Sequence, residues 1–202
     1  DLDIASLYGQ IANDPHRNTM IIEDVETATG AGRSSLVLTE RREHLEYLAR
    51  ELQKHVRHII VLQGGMGKKQ RAAMDERLKT IPPDEDRVIV ATGRYAGEGF
   101  DDARLDTLFL AMPIAWRGTL QQYVGRLHRS HAGKHEVQVY DYVDARVPVL
   151  AHMFSKRVKG YRAMGYEPQE PERADQRQED TDTIGTGPSG VRDSAQNKEP
   201  FS

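Results

Sequence analysis

SSLVLTERREHLEYLARELQKHVRHIIVLQ, residues 34–63, places two short apolar runs on either side of a helical segment. The runs at 34–39 and 58–63 are rich in branched residues and show little polar alternation, which is typical of strands covered on both faces. Between the runs, apolar residues recur on one helical face, at Leu45, Leu48, Ala49 and Leu52. A strand, a helix and a second strand in this order predict one unit of a parallel sheet.

The same alternation continues along the chain. Three more strand-like runs lie at 87–92, 106–111 and 136–143, and two more helical segments lie at 67–83 and 147–166. We expect the last helix to dock through Leu150, Met153, Phe154 and Val158. The pattern predicts a mainly parallel sheet with helices on both faces, a three-layer α/β/α domain. Ligands of such sheets bind at the carboxyl ends of the strands, so we expect the site in the loops that follow them.

The two ends of the chain differ from this central domain, which we place at 34–166. Residues 1–33 indicate two helices that lead into the domain, broken near Asp14–Pro15. Residues 167–202 contain nine acidic and four basic residues and no leucine. Such a segment buries too little apolar surface to offset its chain entropy, so we predict a disordered acidic tail.

Composition excludes several classes of protein. Cys is absent, which excludes disulfides and thiolate chemistry. No apolar run approaches the ~20 residues of a membrane span, and no signal peptide opens the chain. We therefore expect a cytoplasmic location and no membrane partner. The first residue is Asp rather than Met, so we expect the chain to be a piece of a longer protein.

QGGMGKKQ, residues 63–70, has the glycines and lysines of a phosphate loop but not its spacing. The motif G-x-x-x-x-G-K-[ST] requires glycine where Leu62 stands and a hydroxyl where Lys69 stands. We reject a nucleoside triphosphate cradle here. Two interpretations stay open: a plain strand-to-helix turn, or a turn in which Gly64 and Gly65 let the backbone approach a nucleic-acid phosphate.

Two other stretches carry the chemistry. ATGRYAGEGFD, residues 91–101, leaves the third strand and turns through three glycines, and QxxGRxxR occupies 122–129. Thr92 stands thirty residues before the first glutamine of that motif, with one predicted strand between them. Val124 and Leu127 are too few apolar positions to predict a core helix for the second stretch.

This ordered pair resembles motifs V and VI of the second RecA-like domain of superfamily two helicases. SLVLTERREHLEYLARELQ, residues 35–53, resembles motif IV, and IIVLQGGM, residues 59–66, resembles the glycine turn that follows it. The resemblance covers about residues 33–165. The sequence of these segments is most similar to the helicase branch related to type III restriction subunits and similar DEAD/DEAH proteins.

The resemblance implies a RecA-like fold and a nucleotide site shared between two domains. ATP with Mg²⁺ would be held mostly by a first RecA-like domain of the same parent chain. Arg126 and Arg129 would be arginine fingers, and Gln122 would orient the same network. A planar, permanently charged guanidinium is suited to stabilise the charge that develops on a transferred phosphoryl group.

The resemblance also divides the other motif residues between two ligands. On the nucleotide side it places Gly97, Gly99, Asp101 and Gly125. On the nucleic-acid side it places Thr92, Gly64, Gly65 and Thr39. No residue is expected to hold a metal.

Simpler alternatives stay open for these residues. The two arginines could form a solvated basic helix end that pairs with Glu98 or Asp101. Asp101 and Asp102 could cap a helix or occupy an exposed turn, and with Glu98 they could bind magnesium. His128, His131 and His135 have helix-like spacing, but surface histidines fit that run better than zinc ligands. Trp116 could stack on a base or pack the loop around it.

We therefore expect this chain to be the second motor domain of an ATP-dependent helicase or translocase that acts on DNA or RNA. As an isolated fragment it is expected to be inactive. One rival is a stand-alone nucleic-acid-binding module with a degenerate helicase fold. Another is a single-domain magnesium-dependent enzyme that uses the acids at 98–102. The basic run at 156–162 is expected to be the solvated face of the last helix.

Overall fold

A computed structural model of the chain describes residues 3–93, 102–115 and 118–169, apart from the side chain of Thr119. The helices and strands, in chain order, are α1 (Ile4–Ala12), α2 (Pro15–Gly30), β1 (Ser35–Thr39), α3 (Arg42–Leu52), β2 (His58–Leu62), α4 (Lys68–Thr80), β3 (Arg87–Thr92), β4 (Thr107–Leu110), α5 (Gly118–Leu127), β5 (Gln138–Asp141) and α6 (Pro148–Ala163). The alternation of strands and helices agrees with the sequence pattern. The predicted tail beyond residue 169 lies outside the described residues.

The five strands form one sheet in the order β2-β3-β1-β4-β5, and each neighbouring pair is parallel. β1 lies at the centre, where Val37 is in register with Val90 on one side and Phe109 on the other. The predicted parallel α/β architecture is confirmed.

Helices cover both faces of the sheet because alternate residues of each strand point to opposite sides. Leu36 and Leu38 of β1 share a buried cluster with residues of α4 and α5, including Leu120. Val37 faces the other way and shares a second cluster with α2 and α3, including Leu45. The result is three layers with the sheet in the middle.

The two strands on the β5 side are shorter than predicted. β4 starts at Thr107 rather than 106, and the carboxylate of Asp106 accepts from the Ser34 amide at 3.1 Å and from the Thr107 hydroxyl at 2.8 Å. β5 ends at Asp141, whose side chain is bound by residues of α6. β5 is a half-buried edge strand.

The predicted break between the first two helices is confirmed. The Asp14 carboxylate accepts hydrogen bonds from the amides of His16 and Arg17, and Pro15 opens α2. This is a favourable helix start, because a carboxylate cap pairs free amides and proline has no amide to leave unpaired. Ile21 and Val25 of α2 are fully buried, so this helix belongs to the core.

The prediction that residues 122–129 carry too few apolar positions for a core helix was wrong. α5 is anchored in the core by four buried side chains, at Leu120, Tyr123, Val124 and Leu127. Counting only the two aliphatic residues inside the motif missed the leucine one turn earlier and the apolar ring of the tyrosine. α5 is therefore held firmly along one face.

The prediction for α6 was correct only in part. Leu150 is buried as expected, whereas Met153, Phe154 and Val158 are half-buried. The rest of the buried face consists of Arg157, Gly160 and Tyr161. The basic run is thus not a uniformly solvated face. Arg157 is 1% exposed and is compensated by Asp141.

Candidate nucleotide and nucleic-acid site

Three of the residues assigned to nucleic-acid binding meet at the carboxyl edge of the sheet. Thr92 ends β3 and is in register with Thr39, which ends β1. The Gly93 amide donates to the Thr39 carbonyl at 3.0 Å, and the Gly64 amide donates to the Thr92 hydroxyl at 3.3 Å. The structure therefore brings the glycine turn after β2 against the end of β3, as the order of strands requires.

The glycine turn has the backbone that its sequence predicts. Gly65 has a φ of 86°, in the left-handed region that favours glycine. Gly64 and Gly65 are both exposed, and α4 begins three residues later with exposed Lys68 and Lys69. This edge therefore presents accessible glycine backbone beside two cationic side chains, an arrangement that suits a phosphate group.

Thr39 faces inward. Its side chain is fully buried, and its hydroxyl lies 2.9 Å from Nδ1 of His44. Nε2 of the same ring lies 2.8 Å from Oδ1 of Asn18, whose amide nitrogen donates to the Ala12 carbonyl at 3.0 Å. The Asn18 oxygen must accept, so Nε2 carries the proton and Nδ1 accepts from Thr39. This network joins β1, α3 and α2.

The buried network keeps His44 neutral. Burial and, to a smaller extent, the positive charge of Arg17 lower the pKa of this imidazole from 6.5 to about 4. The Thr39 hydroxyl is therefore committed to a neutral ring inside the protein. A direct contact between this side chain and nucleic acid, as expected from the motif, does not fit this geometry.

The motif at 122–129 lies on α5 and the turn after it. Gln122 and Arg129 are exposed and Arg126 is half-buried, and the three recur at intervals of four and three residues on the side opposite the core. The Arg129 amide donates to the Arg126 carbonyl at 3.1 Å in the turn that follows the helix. The structure thus places the glutamine and both arginines along one surface.

This surface lies on a different element from the edge where Thr92 and Gly64 meet. α5 follows β4, starts near the carboxyl edge and runs back along the sheet. The Lys134 ammonium donates to the Leu127 and Arg129 carbonyls at 2.8 Å. Burial lowers the pKa of Lys134, whereas the charges of two nearby acids at the amino edge, Asp106 and Asp102, raise it. The end of the motif therefore lies toward the amino edge of the sheet.

The Arg126 side chain has a defined environment. Its guanidinium lies 5.8 Å from the centroid of the Tyr123 ring, within the range of a cation–π contact. Burial raises the pKa of Tyr123, and the charge of Arg126 opposes that shift. An arginine held over a buried ring loses less side-chain entropy on binding a ligand than a freely moving arginine.

The residues present on α5 suit a phosphate better than a metal. Gln122, Arg126 and Arg129 provide amide and guanidinium donors, which match phosphate oxygens. Within residues 3–93, 102–115 and 118–169, no group of three or more His, Asp or Glu could hold a metal ion. Asp102 is bound instead to the buried Arg87, and its other oxygen accepts from the Arg104 amide at 3.0 Å.

The other assigned residues divide into two sets. Gly125 is half-buried on α5, and a Cβ atom there would lie 3.8 Å from Cε of Met164, which is an ordinary contact. Packing alone therefore does not require glycine at this position. The remaining predictions lie outside the described residues: Gly97, Glu98, Gly99, Asp101 and Trp116.

The three histidines considered for zinc, His128, His131 and His135, are all exposed. Nδ1 of His131 lies 2.8 Å from the Ala132 carbonyl, and His128 packs edge-on against Tyr166. These contacts fit the surface interpretation of the run.

Sequence reasoning missed three side chains that donate hydrogen bonds to carbonyl oxygens of the loop before α5: Tyr8, Arg17 and Arg157. A signal was present for the last of these. Arg157 stands seven residues after Leu150 and four before Tyr161, at a position where the apolar face of a helix should continue. A basic residue at such a position indicates a buried partner.

The fold and the placement of the motifs define a RecA-like α/β domain. The family model described as the helicase conserved C-terminal domain matches residues 17–131, more than half of the chain. The chain therefore belongs to the helicase conserved C-terminal domain family.

Two curated viral proteins are similar to this chain. Transcript termination protein A18 of fowlpox virus (strain NVSL) is 30% identical over 152 residues, covering 73% of this chain and 32% of that protein. Putative helicase 161L of invertebrate iridescent virus 6 is 27% identical over 186 residues, covering 81% of this chain and 37% of that protein. The chain thus spans about a third of the length of these relatives.

The crystal structure of T4 UvsW shares the fold, with a TM-score of 0.62 and 16% identity over 80% of this chain and 35% of that one. The expected resemblance to helicase C-terminal domains is confirmed. The finer assignment to the type III restriction branch stays a prediction. No helix in the described part of the chain is both long and apolar enough to cross a membrane.

Proposed function

We propose that this chain is the second motor domain of an ATP-dependent helicase or translocase acting on DNA or RNA. One observation carries the proposal. α5 buries one face in the core and carries Gln122 and Arg126 on its other side, and Arg129 follows in the turn after the helix. A rigid helix with one guanidinium group on its outer side and a second just after its end suits the stabilisation of charge on a phosphoryl group.

On the nucleotide side, Arg126 and Arg129 act as arginine fingers and Gln122 orients them. Bound ATP with Mg²⁺ supplies the phosphoryl group that is transferred to water. The triphosphate and the metal are held mostly by a first RecA-like domain, as the resemblance implies. Gly125 keeps the helix surface between the polar side chains free of a side chain, and Gly97, Gly99 and Asp101 complete the nucleotide side.

On the nucleic-acid side, Thr92 and the turn at Gly64 and Gly65 contact the backbone of one strand. The Gly64 amide and the Thr92 hydroxyl are already within 3.3 Å of each other, so one phosphate can contact both elements. Lys68 and Lys69 add positive charge at the start of α4. Thr39 supports this edge through its buried bond to His44.

Steady-state ATP hydrolysis by the full-length protein, with and without single-stranded nucleic acid, tests the proposal. We expect nucleic acid to stimulate hydrolysis, and Arg126→Ala to reduce the stimulated rate by about 10³-fold or more. Arg77→Ala is the matched control, because Arg77 is an exposed arginine at the far end of α4.

The control should keep the rate of the wild type. A rate that is indifferent to Arg126 would defeat the motor proposal and favour the rival, a nucleic-acid-binding module without a working nucleotide site.

A further inference from the structure

The first three residues of the loop between β4 and α5 are buried although they lie beyond the end of β4. Ala111, Met112 and Pro113 are all buried. Loops usually run over the surface, where water pairs their polar groups. A buried loop needs other partners for its carbonyl oxygens, because an unpaired buried carbonyl is costly.

Side chains from three different helices supply those partners. The carbonyl oxygens accept as follows: Ala111 from Nε of Arg17 in α2 at 3.1 Å, Pro113 from the hydroxyl of Tyr8 in α1 at 2.6 Å, and Ile114 from Nη1 of Arg157 in α6 at 3.0 Å. The last of these carbonyls lies four residues before α5 begins. We call these three donors the loop clamp.

Each arginine of the clamp is itself held by a carboxylate. Nη1 of Arg17 lies 3.0 Å from both oxygens of Asp144. Arg157 donates to both oxygens of Asp141, at 2.6 and 2.9 Å, and the Tyr161 hydroxyl donates to the same carboxylate at 3.0 Å. Paired guanidinium groups keep a fixed direction, so the loop is bound to a rigid frame.

α1 contacts two loops at the same edge of the sheet. While the Tyr8 hydroxyl binds the loop after β4, the guanidinium of Arg41, in the loop after β1, donates to the Ala5 carbonyl of α1. Burial raises the pKa of Tyr8, and the nearby charge of Glu40 raises it further. The hydroxyl therefore remains a donor throughout the physiological pH range.

The position of this loop matters because α5 is a stiff helix, so a change of angle at its first turn displaces the residues further along it. Arg126 stands eight residues after the first residue of α5, or about 12 Å along the axis. A tilt of about 5° at the loop would therefore move Arg126 by about 1 Å. A displacement of that size can reduce a catalytic rate by about 10²-fold.

We propose that Tyr8, Arg17 and Arg157 are positioning residues that fix the β4–α5 loop and thereby aim Gln122 and Arg126 at the nucleotide. This inference rests on the proposed function. The three side chains bind the loop through its carbonyl oxygens. They act only through α5.

Tyr8→Phe in the full-length protein tests the inference, because it removes one hydroxyl and keeps the ring. We expect the kcat for nucleic-acid-stimulated hydrolysis to fall about 3- to 10-fold, with the KM for ATP within about twofold of wild type. Tyr140→Phe is the matched control, because its hydroxyl donates to Oε1 of Gln138 in its own strand at 3.5 Å rather than to the loop. The control should leave kcat unchanged.

A double variant separates positioning from general damage. If Tyr8 acts through Arg126, Tyr8→Phe should change kcat by less than about twofold when Arg126→Ala is already present. An equal loss in both backgrounds, or no loss in the wild-type background, would overturn the inference while leaving the fingers in place. If Arg126→Ala alone had no effect, the proposed function would fail and the inference would fail with it.

Discussion

Arg157 and Arg42 each form a salt bridge with a carboxylate, but their surroundings differ. Arg157 is 1% exposed and its partner Asp141 is 8% exposed, whereas Arg42 and Glu46 are 72% and 56% exposed. Breaking a buried pair leaves a charge without solvent, whereas breaking an exposed pair returns both ions to water. The two pairs should therefore contribute unequally to stability.

Arg157→Ala should lower the free energy of unfolding by about 3 kcal/mol or more, because it strands the Asp141 carboxylate inside the protein. Arg42→Ala should lower it by less than about 0.5 kcal/mol. Urea denaturation of both variants measures the difference. Equal losses would show that the burial of the Arg157 pair does not control its contribution.

His44 makes the stability of the protein depend on pH. The pKa of its imidazole is 6.5 in the unfolded chain and about 4 in the folded protein, so the unfolded state binds the proton more readily. The full contribution is present above pH 6.5 and is lost as the pH falls toward 4. Over that window the loss is on the order of 3 kcal/mol.

His44→Gln removes this titration and keeps a polar group that can hydrogen-bond to Asn18. We expect the free energy of unfolding of the wild type to fall relative to that of the variant between pH 7 and pH 4.5. Urea denaturation at several pH values gives both curves. Parallel curves would contradict the buried, neutral state of this imidazole.

At the residue scale, the sequence predicted buried apolar side chains where they recur at helical spacing. It did not predict which polar side chains hydrogen-bond to each other. The apolar face of α3 followed from spacing alone. The bond of His44 to Asn18, 26 residues away, did not, because it depends on how α2 packs against α3. The inward direction of Thr39 was missed for the same reason.

At the element scale, the turn after β2 and the end of β3 form one edge, in which the Gly64 amide donates to the Thr92 hydroxyl. Thr92→Val should weaken binding of a single strand about 3- to 10-fold, because the hydroxyl is lost as a partner for both the turn and a phosphate. Fluorescence anisotropy with a labelled strand measures the affinity.

Thr27→Val is the matched control for this substitution. Thr27 is exposed on α2, and its hydroxyl donates to the Glu23 carbonyl of its own helix at 2.8 Å. Its affinity for the strand should equal that of the wild type. Unchanged affinity in the Thr92 variant would remove this threonine from the nucleic-acid surface.

The elements themselves were largely predictable, since a parallel sheet imposes long apolar runs with helices between them. The strand order and the core role of α5 were not. α5 was misjudged because its anchor residues start before the motif, at Leu120, and include the ring of Tyr123. The residues that pack a helix into the core therefore extend beyond the residues of its sequence motif.

At the scale of the whole molecule, the two proposed surfaces lie on different parts of one domain. Thr92 and Gly64 lie at the carboxyl edge, whereas Arg126 lies on α5 over the ring of Tyr123 and Arg129 lies in the turn that follows α5. Residues of β3 and of α5 share one buried cluster, so both surfaces are built on the same core. The resemblance predicted the residues of both surfaces but not the packing of α5 that holds one of them, because that packing depends on residues outside the motif.

The central claim is that Arg126 acts on the chemical step and not on ATP binding. Single-turnover hydrolysis by the full-length protein with saturating nucleic acid, beside a direct measurement of ATP affinity, separates the two. In Arg126→Ala, we predict a Kd for ATP within about threefold of wild type and a hydrolysis rate constant lower by about 10³-fold or more. A variant that loses ATP affinity and keeps its rate constant, or keeps both, would contradict the account.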